Sequence, residues 1–168
     1  TRDKIFAMTP EIGSSFWPQS STIEDLCKGM LNLNITAAKM IGNYASLKDF
    51  TNNFISTSTF QTEFSLQRLG IVDEEVFSIS IQPVSSNIES ISSEININSL
   101  EIGEIVYDNF EITLNQSINQ GEEIIFKYVL NNGLYEEEIL VSKIYGEPQI
   151  IFEDESENYN EYWTDNSD

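Results

Sequence analysis

Histidine is missing from this sequence of 168 residues. A Ser-His-Asp triad, a Cys-His catalytic pair and a zinc site with histidine ligands each need at least one imidazole nitrogen. All three kinds of site are therefore excluded within this chain, and chemistry of that kind would need residues that the chain does not contain.

Cysteine is almost missing as well, since Cys27 is the only one. A single cysteine cannot form an internal disulfide. Cys27 falls on the apolar stripe of a predicted helix, and we therefore interpret it as a small buried core residue.

Basic residues are scarce: 8 lysines and arginines stand against 28 acidic residues, which gives a net charge of −20. Nucleic acid and anionic membrane surfaces are poor partners for such a chain, because both are bound through Lys and Arg. No window is long and apolar enough for membrane insertion. The chain lacks an initiating Met and begins just ahead of a predicted strand, so we expect a piece of a longer protein.

Residues 4–9 form a short, mostly apolar segment that predicts a strand buried on both faces. Pro10 cannot donate a hydrogen bond to a neighbouring strand, so pairing should end there. Glu11 is then expected at the rim of a sheet, where catalytic groups of open α/β sheets collect. By its spacing alone, Glu11 can equally be an acid that caps the Gly13–Ser15 turn.

The next element is a predicted long helix. Ser21 and Glu24 fit a capping box at its start. Apolar residues recur at helical spacing from Ile23 to Tyr44, although polar residues weaken the pattern around Asn32–Thr36 and allow a kink there. One strand cannot cover this stripe, so we expect part of an apolar helix face to be left uncovered.

The order of these features resembles the C-terminal end of the catalytic domain of zinc carboxypeptidases of the carboxypeptidase A type. The matching segments are Thr9-Pro10-Glu11, Phe16-Trp17-Pro18 and Ser21–Leu26 with the helix that follows. They cover residues 3–47, about a quarter of the chain. The resemblance implies that Glu11 is the catalytic glutamate, which acts as general base on a zinc-bound water and then as proton donor to the leaving amine.

The same resemblance implies that Thr9 lies near the pocket for the C-terminal side chain of a peptide substrate. In that family the zinc ligands, the substrate-binding arginine and the catalytic tyrosine all lie upstream. The parent protein is therefore expected to bind zinc and to contain an upstream peptidase domain. The chain itself supplies no metal ligand and should be inactive alone.

From about residue 55 the sequence changes to short segments in which apolar and polar residues alternate. Phe77-Ser78-Ile79-Ser80-Ile81 is the clearest of these segments, and Asn131-Asn132-Gly133 predicts a hairpin turn. Six or seven such strands in about 90 residues are typical of an immunoglobulin-like sandwich. The acidic tail after Gly146 is either solvated or disordered, or it leads into a further domain.

The predicted fold is therefore an α+β fragment, consisting of a strand and a long helix from an α/β peptidase domain, followed by an all-β immunoglobulin-like sandwich. The predicted division is residues 1–48, 55–146 and 147–168. The predicted protein is a C-terminal piece of a secreted or cell-surface bacterial zinc carboxypeptidase. The alternative is a non-enzymatic sandwich that binds carbohydrate or protein, or acts as a spacer, at a cell surface.

Overall fold

The computed structural model describes residues 9–72 and 76–148. These residues form a mostly β structure of two sheets with one α-helix. The strand predicted at residues 4–9 and the acidic tail fall largely outside the described residues, so both remain predictions. Thr9, Pro10 and Glu11 are described, and they belong to no helix or strand.

The helix α1 follows a single 3-10 turn, Ser20–Thr22. The elements, in chain order, are α1 Ile23–Ile41, β1 Ala45–Asp49, β2 Phe54–Ile55, β3 Thr59–Arg68, β4 Phe77–Pro83, β5 Ile88–Ile91, β6 Ile95–Ile97, β7 Ile105–Leu114, β8 Glu123–Asn131 and β9 Glu136–Tyr145.

The strands divide into a four-stranded sheet in the order β1-β3-β7-β5 and a five-stranded sheet in the order β2-β9-β8-β4-β6. All pairings are antiparallel except that of β2 with β9, which is parallel. The sheets face each other across one apolar core. The ring of Phe64 in the first sheet lies 5.8 Å from that of Tyr128 in the second.

Alternation in the sequence predicts which side chains enter this core, because successive residues of a strand point to opposite faces. In β4, Phe77, Ile79 and Ile81 are buried, while the two serines between them are only half-buried. The hairpin predicted at Asn131–Gly133 is confirmed, since it joins β8 to β9. Gly133 has a φ of +85°, a conformation that glycine adopts without steric cost.

The strands of the two sheets run from Ala45 to Tyr145, whereas the predicted sandwich begins at residue 55. Residues 45–48 belong to the predicted N-terminal segment of residues 1–48, yet they are part of β1, which pairs with β3 over its whole length. The apolar stripe suggested a helix as far as Tyr44, but α1 ends at Ile41. That the residues before β1 belong to a different domain stays a prediction.

Helix α1 differs from its prediction in three respects. It is continuous from Ile23 to Ile41, without a break at the predicted weak point. The predicted capping box does not form: Thr22, not Ser21, is the N-cap, and its hydroxyl donates to the carbonyl of Gln19 at 2.8 Å. Cys27 is exposed, so the prediction of a buried core cysteine is wrong. It was based on an apolar stripe whose partner surface is not among the described residues.

No residue of α1 is buried, although the helix is 19 residues long. At 1.5 Å per residue this length corresponds to about 28 Å. The uncovered apolar face that the sequence predicts is therefore present. In the described part of the chain, no helix has the length and hydropathy needed to cross a membrane. The large exposed side chains on α1 are Ile23, Leu31, Leu33, Ile35 and Ile41.

Candidate functional site

The predicted site residues lie on an exposed segment that precedes α1. Thr9 and Glu11 are both exposed. Glu11 lines an open groove of about 700 Å³ between this segment and the first turns of α1. Leu26 and Cys27 line the groove from the helix side, whereas Thr9 is not part of its lining. The structure therefore brings Glu11, but not Thr9, against the helix.

A bend at Gly13 brings the segment close to α1. Gly13 has a φ of +79°, which favours glycine, and a Cβ at this position would lie 3.3 Å from a methyl carbon of Leu26. Beyond the turn, the side chains of Phe16 and Trp17 are almost fully exposed. Phe16 lines the groove together with Ile23 and Leu26 of α1, and exposed apolar side chains grouped in this way are typical of a site of contact with another protein surface.

The residues present do not fit a zinc site of their own. The chain contains no histidine. Among residues 9–72 and 76–148, no group of three or more cysteine, aspartate or glutamate side chains lies close enough together to hold a metal ion. Glu11 therefore belongs to no such group within the described part of the chain.

The sequence pattern did not reveal a buried ion pair that joins the two sheets. Asp49 ends β1 in the four-stranded sheet, and Lys143 lies in β9 of the five-stranded sheet. The ammonium of Lys143 lies 2.5 Å from Asp49 Oδ2 and also donates to the carbonyl of Thr51 at 2.7 Å. The side chains of Lys143 and Asp49 are only 3% and 14% exposed. An ion pair so well shielded from water interacts strongly, but each charge is costly if its partner is lost.

The second oxygen of Asp49 is also hydrogen-bonded. Oδ1 accepts from the hydroxyl of Thr51 at 2.7 Å and from the hydroxyl of Tyr128 at 3.2 Å. Burial raises the pKa of Tyr128, and the nearby negative charge of Asp49 raises it further. Both carboxylate oxygens are thus occupied by groups of the chain. This buried cluster therefore has the geometry of a structural link between sheets rather than that of a ligand site.

One signal for this cluster is present in the sequence. Lys143 has the same strand parity as Ile139 and Val141, which point inward, so the alternation places a lysine on the core side of β9. Its partner lies 94 residues earlier in the chain. Alternation alone does not identify a partner at that distance.

The C-terminal end of α1 is fixed to β9 and to the segment that follows β3. Lys39 Nζ lies 3.0 Å from a carboxylate oxygen of Glu137, and the backbone N–H of Ile71 donates to the carbonyl of Met40 at 3.0 Å. Partial burial by itself would lower the pKa of Lys39, but the hydrogen bond and charge of Glu137 outweigh that effect and raise it. These two contacts hold the last turn of the helix, whereas its earlier turns contain no buried residue.

No protein-family model matches the sequence. No curated protein matches it either. Among solved structures, a FixG-related protein from Vibrio parahaemolyticus is similar, with a TM-score of 0.39 and 10% sequence identity over 61% of this chain and 94% of that chain. A likeness at this level of identity and TM-score carries no information about function.

Proposed function

We propose that this chain is the C-terminal part of a zinc-dependent carboxypeptidase that removes C-terminal residues from peptides, with Glu11 as its proton-transfer residue. The observation that supports this most directly is the combination of Glu11 with an uncovered apolar surface. That surface consists of the groove beside Glu11, the two exposed rings of Phe16 and Trp17, and the apolar side chains of α1. A peptidase domain upstream would cover such a surface and place Glu11 at a shared active site.

Glu11 has the accessibility that this role needs, because its carboxylate is exposed beside a groove. A carboxylate in reach of an attacking water accepts its proton and later delivers a proton to the leaving amine. Thr9 is two residues away, and we propose that it lies near the C-terminal side chain of the substrate. Zinc, held by residues outside this chain, would lower the pKa of the attacking water.

We further propose that the two sheets form an immunoglobulin-like, non-catalytic domain appended to the peptidase. The order β1-β3-β7-β5 agrees with strands A-B-E-D of that fold, and β9-β8-β4 agrees with G-F-C. None of the described residues of the sandwich lines the groove at Glu11. Location outside the cell, as a secreted or surface protein of a bacterium, is part of the same proposal.

The test uses the full-length parent protein with Glu11→Gln, assayed for zinc content and for release of C-terminal residues from peptides. Glutamine keeps the size of the side chain but cannot carry the proton, so we expect zinc content to be unchanged while kcat falls by about 10²–10⁴-fold. Glu94→Gln is the matched control, since Glu94 is also exposed but lies between two strands of the sandwich. A parent protein without zinc, or a Glu11→Gln variant that cleaves as fast as the wild type, would contradict the proposal.

A further inference from the structure

Two aromatic rings lie exposed on the outer face of the four-stranded sheet. Phe50, just after β1, is 54% exposed, and Tyr107 in β7 is 71% exposed. Their ring centroids are 6.2 Å apart, and the ring planes are tilted by 44°. Together with Glu63, Asp108 and Asn109 they line an open depression of about 440 Å³, here called the sheet-face patch.

The strands hold this patch in place. Ser65 lies directly opposite Tyr107 on β3, and its small side chain is buried beneath the neighbouring larger residues. The backbone N–H of Phe50 donates to the carbonyl of Glu63 at 2.8 Å, which keeps the aromatic residue beside β3. The patch is therefore built on paired strands and does not depend on a free loop, so little ordering is required when a ligand binds.

Neither Phe50 nor Tyr107 belongs to the hydrophobic core, so core packing does not explain why these positions carry large rings. Single apolar side chains on a surface are common, but two large rings in contact, bordered by polar side chains, are typical of a recognition site.

The charges around the patch limit what it can bind. Glu63 and Asp108 are acidic, and no lysine or arginine is among the described residues that line the patch. The whole chain carries a net charge of −20. A polyanion such as nucleic acid or an acidic polysaccharide would be repelled. The carboxylate of Glu63 and the amide of Asn109 instead suit a neutral ligand with many hydroxyl groups.

We propose that the sheet-face patch binds a neutral oligosaccharide. The C–H face of a sugar ring is apolar and packs on Tyr107 and Phe50, while its hydroxyl groups donate to Glu63 and accept from the amide of Asn109. This activity goes beyond the proposed peptidase function and does not depend on it, since no residue of the patch lines the groove at Glu11.

The test is native affinity electrophoresis of the 168-residue chain in gels that contain hydroxyethyl cellulose, xyloglucan, galactomannan or laminarin, with alginate as the polyanionic comparison. Tyr107→Ala removes the more exposed ring. Leu140→Ala is the matched control, because Leu140 is 64% exposed on the other sheet. Far-UV circular dichroism of each variant checks that the fold is unchanged.

We expect at least one of the four neutral polysaccharides to retard the wild type. Tyr107→Ala should then bind about tenfold or more weakly, the usual loss when a central aromatic anchor is truncated. Leu140→Ala should migrate as the wild type does. The proposal is overturned if none of the four neutral gels retards the chain, if only alginate does, or if Tyr107→Ala and Leu140→Ala behave alike. Retardation that is lost in Tyr107→Ala, together with a Glu11→Gln variant that cleaves as fast as the wild type, would support this proposal and contradict the peptidase proposal. The opposite pair of results would do the reverse.

Discussion

Replacement of Lys143 by methionine tests the buried link between the two sheets. The substitution keeps most of the apolar stem of the side chain and removes the ammonium that lies 2.5 Å from Asp49 and 2.7 Å from the carbonyl of Thr51. The carboxylate of Asp49, which is only 14% exposed, would then have lost the lysine with which it pairs. Breaking a buried pair in this way typically costs about 3–5 kcal/mol of unfolding free energy.

The structure places the expected cost near the lower end of that range, at about 3 kcal/mol. Asp49 would keep its hydrogen bonds from Thr51 and Tyr128, and these stabilise the remaining charge. For a domain of about 100 residues this corresponds to a fall in Tm of roughly 10–25 °C. Urea denaturation followed by far-UV circular dichroism measures the loss directly, as a lower midpoint at an unchanged slope.

Lys127→Met provides a matched control within the same sheet. The Lys127–Glu138 pair is similarly close, at 2.6 Å, but its side chains are 34% and 53% exposed. Solvent screens such a pair, so the expected cost is less than about 1 kcal/mol. Adding Asp49→Asn to Lys143→Met should restore part of the lost stability, because it removes the unpaired charge. Equal losses for Lys143→Met and Lys127→Met, or a double variant less stable than Lys143→Met alone, would refute this reasoning.

Two further predictions concern the same fold. The ordinary pKa of a tyrosine is near 10, and that of Tyr128 is raised in the folded state, so its hydroxyl keeps its proton at a pH where the unfolded chain has lost it. The contribution of Tyr128 is therefore fully present below about pH 10, and stability should fall above it with a slope of up to about 1.4 kcal/mol per pH unit. Tyr128→Phe should make that slope smaller in urea titrations at pH 9–11, although not zero, because the pKa values of Tyr135 and Lys39 are raised as well. An unchanged slope would contradict the prediction. Gly70→Ala should lower stability by several kcal/mol, since its Cβ would lie 2.1 Å from the carbonyl oxygen of Gly42 and 2.3 Å from the backbone nitrogen of Tyr44. Gly29→Ala, with no atom within 4 Å of its Cβ, should instead raise helix stability by up to about 1 kcal/mol, and thermal unfolding that ranks the two variants in the opposite order would show the steric argument to be wrong.

Local patterns predicted the strands and the hairpin well. The alternation of Phe77, Ile79 and Ile81 places one face of a strand in the core, and the structure buries those three residues. Asn131-Asn132-Gly133 connects β8 to β9 as predicted. Such signals are contained within a few neighbouring residues, because the period of a strand and the φ angle of a turn are local properties.

The beginning of the sandwich was less predictable. Ala45 and Leu47 continue the apolar pattern of the preceding helix, and only their pairing with Arg68 and Leu66 assigns them to a strand. Short apolar segments fit a helix or a strand equally well on periodicity alone. The prediction of a buried Cys27 failed for another reason, since the surface that would cover its helix face is not among the described residues.

For the candidate sites, the sequence pattern by itself singled out Glu11 at the end of a predicted strand. Thr9, and the roles of both residues, came from the family resemblance and remain proposals. The sheet-face patch and the Asp49–Lys143 pair depended on the tertiary structure. The two rings of the patch come from residues 50 and 107, and the two charges of the pair lie 94 residues apart. Alternation determines which side of a strand a residue occupies, but the register between strands, and the packing of one sheet on the other, determine which distant residue it meets.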